Sequence, residues 1–384
     1  MSDLDLILSY CMKDDLSTYD PYDIWFTWIG DKLKKEYNSH KNLFLPVVAA
    51  GTIADWFFEG LLKKYVYQTR EYPIVRAQAA ITLLNLFKKI ESQECLSVAE
   101  RHLAWLEKHM TVSKHGVGWG IPVAYPVSKE IIYPASIPFS TVTPYVAEAF
   151  LLYQELTKEK KYNKLLLDIF NFFFYDLQPV ETTQDYIAYS YGPCCDRSVF
   201  NANSYTLYML ARLSSFSIQT SIEKRIAKIY NFIHLNQNRD GSWYYSTEAP
   251  FIDGFHTCFI LKNLIKTQRL LDLPELESVI EKGIHFWMDN LIHKKSNLCI
   301  RFYKKNKPSF IIWDLYDNAE SLSLAKLTGR NNLAARLEQN IRKTFFHQGR
   351  IYSQVDLIGG RHYANSYRWA VMPFLRALSE DIGG

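Results

Sequence analysis

The sequence predicts an all-α fold: an α/α toroid, a barrel of six helical hairpins, with short β-hairpins at its rim. Two observations point there. From Pro73 onward, segments that are apolar around most of their circumference alternate with segments that carry a single apolar stripe. The first kind, such as Ala147-Glu148-Ala149-Phe150-Leu151-Leu152-Tyr153, must be covered from both sides, and the second from one side only. An inner ring of helices packed inside an outer ring satisfies both. The pairs also recur at roughly 50–60 residues, the spacing of helical-hairpin repeats.

Inner helices are expected at Val75–Lys89, Val142–Thr157, Asn203–Ser215, Phe255–Lys266, Leu315–Thr328 and Tyr367–Ser379. Outer partners are expected at Leu96–Met110, Lys161–Leu177, Ser221–Leu235, Glu275–Leu291 and Asn332–Phe346. Ile222, Ile226, Ile229 and Ile233 mark one stripe, and Leu333, Leu337 and Ile341 another. Pro274 fits a first helical turn, while Gly329 and Asn331 mark a helix end and the next start. Residues 1–72 are less regular, with Tyr19, Tyr22, Trp25, Phe26 and Trp28 crowded together. They are read as the segment that closes the ring, so that residues 1–384 form one domain. Extended segments Gly241–Ser246, Cys299–Tyr303 and Arg350–Val355 are expected at one rim. The proline-rich stretch Gly116–Pro138 is expected at the opposite hairpin ends or as a lid.

With 48% apolar and 22% charged residues the chain reads as a water-soluble globule. Its net charge of +4 is dispersed, which argues against a nucleic-acid groove. The start, Met1-Ser2-Asp3-Leu4-Asp5, is acidic where a secretory signal is basic. The most apolar stretch, Asn42–Phe58, is interrupted by Asp55 and short for a bilayer span. Six scattered cysteines, with no CxxC and no Cys-His pair, argue against a disulfide framework and against zinc. The expectation is a cytoplasmic protein with no metal and no cofactor, its oligomeric state left open.

Polar groups gather where inner helices should start. In order they are Tyr145 and Glu148; Asn203 and Tyr205; Asp253 and His256; Asp314, Asp317 and Glu320; then Asn365, Tyr367 and Arg368. Parallel inner helices would bring these starts to one mouth, where unpaired N–H groups and partial positive charge suit hydroxyl-rich or anionic ligands. Asn203, Asp253 and Asn365 are also ordinary helix caps. His256 lies three residues past Asp253, so both can share a face of a first turn, where a carboxylate fixes the imidazole tautomer for proton transfer. Asp314, Asp317 and Glu320 stack at spacings of three. Like charges that close push one pKa up and set an acid beside a base, although an acidic first turn needs no function.

The candidate catalytic residues are therefore Asp253, His256, Asp317 and Glu320. Candidate substrate contacts are Tyr145, Glu148, Tyr191, Asn203, Tyr205, Trp243, Trp313, Tyr367 and Arg368. Aromatic residues make up 15% of the chain. Those in loops, among them Trp119, Tyr125, Tyr133, Tyr189, Tyr244 and Tyr245, can stack on sugar faces.

The run Gln237-Asn238-Arg239-Asp240-Gly241-Ser242-Trp243 resembles the QW repeat, QxxDGSW, of squalene–hopene cyclases and related α/α-barrel enzymes. One good copy is present, without the acidic DxDD run those cyclases use to protonate a polyene. The stretch from Asp240 through Phe251-Ile252-Asp253-Gly254-Phe255-His256-Thr257 is similar to six-hairpin proteins found with bacterial capsule and exopolysaccharide assembly genes. The wider six-hairpin class includes glycoside hydrolases, polysaccharide lyases and sugar epimerases. The resemblance implies an oligosaccharide or polysaccharide substrate, acted on in polysaccharide biosynthesis by a hydrolase, lyase or epimerase. A non-catalytic glycan-binding or assembly protein, or an isoprenoid cyclase or transferase, are the alternatives the residues leave open.

Overall fold

The computed structural model describes residues 2–126, 132–195, 197–271, 273–303 and 309–381. Helix α1 (Asp3–Cys11) is followed by a hairpin of α2 (Trp28–Ser39) and α3 (Lys41–Tyr65). Eleven helices then alternate between two layers: α4 (Pro73–Ile90), α5 (Gln93–Lys108), α6 (Thr143–Thr157), α7 (Asn163–Asn171), α8 (Phe200–Leu213), α9 (Ile222–Leu235), α10 (Gly254–Gln268), α11 (Pro274–Phe286), α12 (Leu315–Leu327), α13 (Asn331–Phe345) and α14 (Met372–Ser379). From α4 onward the even-numbered helices are the inner ring. Neighbours pack in order from α8 through α10, α12 and α14 to α4 and α6, and the hydroxyls of Tyr145 and Tyr205, 2.9 Å apart, join α6 to α8. The ring is closed.

Burial follows the two periodicities. In α12 every residue from Leu315 to Lys326 is buried, as a helix enclosed on all sides requires. In α9 burial is confined to one face that includes Ile222, Ile226, Ile229 and Ile233, and in α13 to one that includes Leu333, Leu337 and Ile341. Helix α1 packs on α4 and α14 and is the sixth outer helix. Within the N-terminal segment, α1 therefore supplies the outer partner of the last hairpin.

The inner helices run parallel. At their N-terminal ends the ring centroids of Tyr205 and Phe259 lie 5.5 Å apart, those of Phe259 and Tyr316 6.0 Å, and those of Tyr316 and Trp369 4.8 Å. The Arg368 guanidinium, 5.0 Å over Tyr72, completes the circuit to the start of α4. At the other end Arg269 donates to the Leu327 carbonyl at 3.0 Å, Lys326 to Leu378 at 2.8 Å and Lys89 to Ser379 at 2.6 Å. Segments that lead into inner helices, such as 109–142, 177–199 and 292–314, are long and end at one mouth. Returns such as 91–92 and 328–330 are short and lie at the floor.

That asymmetry overturns the first of the two places expected for Gly116–Pro138, the opposite hairpin ends. The segment leads into α6 and so lies on the mouth side with the other long loops; its residues 127–131 lie outside the described residues. It contains the short pair of Tyr125–Pro126 with Ile132–Tyr133. Of the expected extended segments, Arg350–Asp356 is a true strand, paired with Arg361–Ala364 and Ile311–Asp314. The segments 241–246 and 299–303 contribute only single bridges, at Ser246, Cys299 and Phe302.

The QxxDGSW run is a structural clamp. Gly241 has φ +89°, and a Cβ there would sit 2.3 Å from the Lys282 carbonyl oxygen, so only glycine fits both demands. Gln237 Nε2 donates to the carbonyls of Gly241 and Val279, each at 3.0 Å, tying the end of α9 to α11. Trp243 is buried, and its Nε1 donates to the Ile233 carbonyl at 2.9 Å. This removes Trp243 from the substrate contacts: its ring is buried between hairpins, against Gly283 of α11. Trp243→Phe is expected to destabilise by roughly 1–3 kcal/mol through the orphaned carbonyl and lost volume, measured by chemical denaturation.

Helix α3 also departs from expectation. The apolar stretch runs on past Phe58 to Tyr65, and Leu43–Tyr65 is long and apolar enough to cross a membrane by length and composition. Most of its surface lies outside the core.

Candidate active site

Helix α10 opens at the mouth with Asp253 as its cap. Asp253 Oδ1 accepts the His256 N–H at 2.9 Å, while Oδ2 bonds His256 Nδ1 at 2.6 Å. One carboxylate thus serves both readings of the sequence, cap and imidazole partner. The buried Asp253 holds the ring of a partly exposed His256, and Nε2 makes no hydrogen bond among the described residues. A carboxylate on Nδ1 places the proton there and leaves Nε2 as a base.

Aromatic side chains surround this pair. Tyr245 lies 4.7 Å from the His256 ring and Phe255 4.0 Å. Phe255 meets Tyr316 edge-on at 5.4 Å, Tyr316 stacks on Trp369, and Trp369 meets Tyr22 at 5.0 Å. Burial pushes the Tyr191 hydroxyl up to about 12, with the neighbouring Cys195 and Tyr125 adding to the rise. The Tyr22 hydroxyl is likewise raised to about 12, chiefly by burial. These phenols stay neutral and can donate hydrogen bonds at any physiological pH.

Two arginines stand among these rings, each already paired. Arg368 pairs with Asp20, and Arg301 with Asp314. Asp314 also accepts from Gln354 Nε2 at 3.1 Å and from Trp369 Nε1 at 3.2 Å. The wide turn Tyr367–Val371 before α14 presents Arg368 and Trp369. Turns of this kind interrupt a helix at functional sites more often than elsewhere.

Asp317 and Glu320 occupy other levels. Asp317 sits directly under the first turn of α10, where its Oδ1 accepts the Phe255 N–H at 2.8 Å. A Cβ on Gly254 would lie 2.8 Å from that oxygen, so the close approach depends on glycine. Oδ2 is buried with no partner among the described residues. Burial first, then the charges of Asp314 and Asp253, raise this carboxyl well above its ordinary range, against the opposing pull of Arg301. Because the folded value lies above the unfolded one, this contribution to stability is whole below the ordinary carboxylate range. It is lost as pH rises toward the folded value. Asp317→Asn keeps the cap and removes the titration. Its unfolding free energy, from chemical denaturation, is expected to exceed that of the wild type by a margin that grows from pH 5 to pH 8, reaching roughly 1–3 kcal/mol. A margin that does not change with pH would remove the neutral acid from the account.

Glu320 is fully buried between Lys262 and Arg376, the latter at 2.9 Å, with Lys262 also 3.3 Å from Ser323. It does not join the His256 pair; it balances two cations inside the barrel. Tyr145 and Tyr205 lie bonded to each other and buried. Glu148 pairs with Lys266. Asn203 is consumed by the backbone, accepting the Tyr189 N–H at 2.7 Å and donating to the carbonyls of Tyr189 and Val199. Tyr367 faces α1, edge-on to Tyr10 at 5.7 Å and accepting from Lys13 at 3.0 Å. Trp313, on the strand before α12, meets His293 at 5.6 Å. The expected set thus divides: Asp253, His256, Tyr191 and Arg368 meet at the mouth; Tyr145, Glu148, Asn203, Tyr205, Trp243, Asp317, Glu320 and Tyr367 serve the frame; and Trp313 stands apart on its strand beside His293.

Sequence reasoning missed Asp20, Tyr22, Arg301, Tyr316 and Trp369. Tyr316 had a signal, since it adjoins Asp317 in the expected inner helix. Asp20 and Tyr22 had none, because nothing local shows that the N-terminal segment folds over the mouth.

No family model matches the sequence, and no curated protein matches it by sequence. Solved structures do match in fold. A sugar epimerase from a ruminal bacterium has a TM-score of 0.60 at 12% identity, over 82% of this chain and 90% of that one. The cellobiose 2-epimerase of Spirochaeta thermophila gives 0.59 at 13%, over 80% and 85%. A family 105 glycoside hydrolase from C. acetobutylicum gives 0.57 at 9%, over 79% and 92%. The chain has the α/α-toroid fold that these proteins share.

Proposed function

We propose that the protein is a carbohydrate-active enzyme that moves a proton on a sugar, an epimerase or isomerase in type, with His256 as the base. The His256–Asp253 pair carries this reading: an imidazole with one nitrogen fixed by a buried carboxylate and the other unbonded, among aromatic rings suited to sugar faces. Similarity in fold to sugar epimerases and to a D-mannose isomerase supports it. In this scheme Nε2 takes a proton from the carbon beside the sugar carbonyl, and the electron pair moves onto the carbonyl oxygen. Return of the proton to the former carbonyl carbon, with the adjacent hydroxyl proton passing to the oxygen that gained charge, gives the isomer; return to the original carbon after the enediolate has turned its other face to His256 gives the epimer. Arg368 and the neutral tyrosines favour the oxygen that gains charge.

Glycoside hydrolysis fits less well. It needs a free carboxylic acid and a free carboxylate across one bond. Here Asp20, Asp253, Asp314 and Glu320 each hold a cationic or imidazole partner, and Asp317 is closed off. The biological setting we propose, from the sequence resemblance, is cytoplasmic polysaccharide assembly.

The test is to incubate the protein with reducing mono- and disaccharides in deuterium oxide. Deuterium should enter the sugar at the carbon beside the carbonyl, read by NMR. New reducing ends without exchange would replace the reading by hydrolysis. Saturable binding without either would make it a glycan-binding protein.

A further inference from the structure

Helix α3 is built inside out. Its polar side faces the protein: Asp55 accepts from the hydroxyls of Tyr67, at 2.5 Å, and Tyr363, Glu59 accepts the Tyr363 N–H at 3.1 Å, and Trp56 stacks on His362 at 4.3 Å. Its outward side is apolar. Leu43, Val47, Ala50, Ala54, Phe57 and Leu61 are all exposed and recur at alternating steps of four and three. They make one ridge about 27 Å long. Phe57 is 80% exposed, Tyr65 70%, Phe58 55% and Trp28 of α2 72%. At roughly 150–250 Å² for each aromatic, these four alone match the largest apolar patch of ordinary monomers, about 300–600 Å².

Two features favour a lipid surface over a protein partner. A seam between helices is rimmed by charged residues, yet the positions flanking this ridge are Pro46, Ile53, Phe58 and Gly60, exposed and apolar as well. Among the exposed residues of 28–66 whose side chains are described, the formal charges are Lys32 and Lys64, both cationic. Each lies over an exposed ring, Lys32 at 4.0 Å from Trp28 and Lys64 at 5.0 Å from Tyr65. Lysines with an apolar stem along an aromatic ring suit the boundary between acyl chains and anionic headgroups.

We propose that the α2–α3 hairpin docks this protein on an anionic phospholipid surface, with α3 lying in the interface. The bonds of Asp55 and Glu59 hold its other side to the protein, so one face enters the lipid and the helix does not cross. The hairpin also borders the mouth, since Lys34 of α2 stands 3.4 Å from the Tyr125 ring centroid. The proposal is independent of the reaction at His256.

The full chain would be sedimented with extruded vesicles of phosphatidylglycerol and phosphatidylcholine, and with phosphatidylcholine alone. Binding to the anionic vesicles is expected, weaker binding to the neutral ones, and a roughly tenfold or greater loss for Phe57→Glu/Leu61→Glu. Both positions are exposed, so an unchanged melting temperature is expected of that variant and would be checked. Wild type left in the supernatant with both vesicle types overturns the proposal. Light scattering that shows a dimer, dissolved by the same double variant, would assign the face to a second copy and also overturn it.

Discussion

Replacing Glu320 by alanine is expected to lower the stability by about 3–5 kcal/mol, the effect of removing one member from a buried ion network. Glu320 is the anion between Lys262 and Arg376, all three of them buried. Its loss leaves two cations, on the inner helices either side of α12, with less to neutralise them. Glu380, which also pairs with Arg376, offsets part of that. Glu320→Gln keeps shape and acceptor capacity and should lie between the two. Chemical denaturation measures all three proteins. If Glu320→Ala melted like the wild type while losing activity, the residue would belong to the reaction and this account of it would be wrong.

His256→Ala is expected to lower turnover by roughly 10²–10⁴, the span of general acid–base contributions, with little change in melting temperature because the ring is partly exposed. Asp253→Asn separates the two duties of its neighbour. Asparagine caps a helix about as well as aspartate, so stability should hold. The neutral amide cannot stabilise an imidazolium, so turnover should fall on its own. Deuterium exchange rates with thermal unfolding measure both. Loss of stability without a specific loss of exchange in Asp253→Asn would reduce the pair to a helix cap.

The ring of hairpins was legible because inner and outer helices differ in how much of their circumference is apolar, as in α12 against α9 and α13. The Asp253–His256 pair was legible because a spacing of three within one turn fixes the geometry locally. The triple Asp314, Asp317 and Glu320 misled for a related reason. A spacing of three keeps residues on one face but lifts each by about 4.5 Å along the axis. In an inner helix those steps are different depths: Asp314 meets Arg301 at the mouth, Asp317 lies under α10, and Glu320 sits between Lys262 and Arg376. The Asp20–Arg368 pair spans 348 residues, and only the closed ring brings its ends together. The turn before Trp243 allowed two places for its ring, at the mouth or packed between hairpins, and the indole takes the second.

The charges within the barrel also limit how a polymer can be handled. Tyr145 and Glu148 from α6, Tyr205 from α8, Lys262 and Lys266 from α10, Glu320 from α12 and Arg376 from α14 meet across the axis in bonded sets. Unplugging that stack would strand buried charge. Under the proposed function, a glycan would therefore arrive and depart by the same door and would not be threaded through the ring. A closed axis of this kind would suit chain termini and short free sugars, each visit a separate encounter with no processive run along a strand.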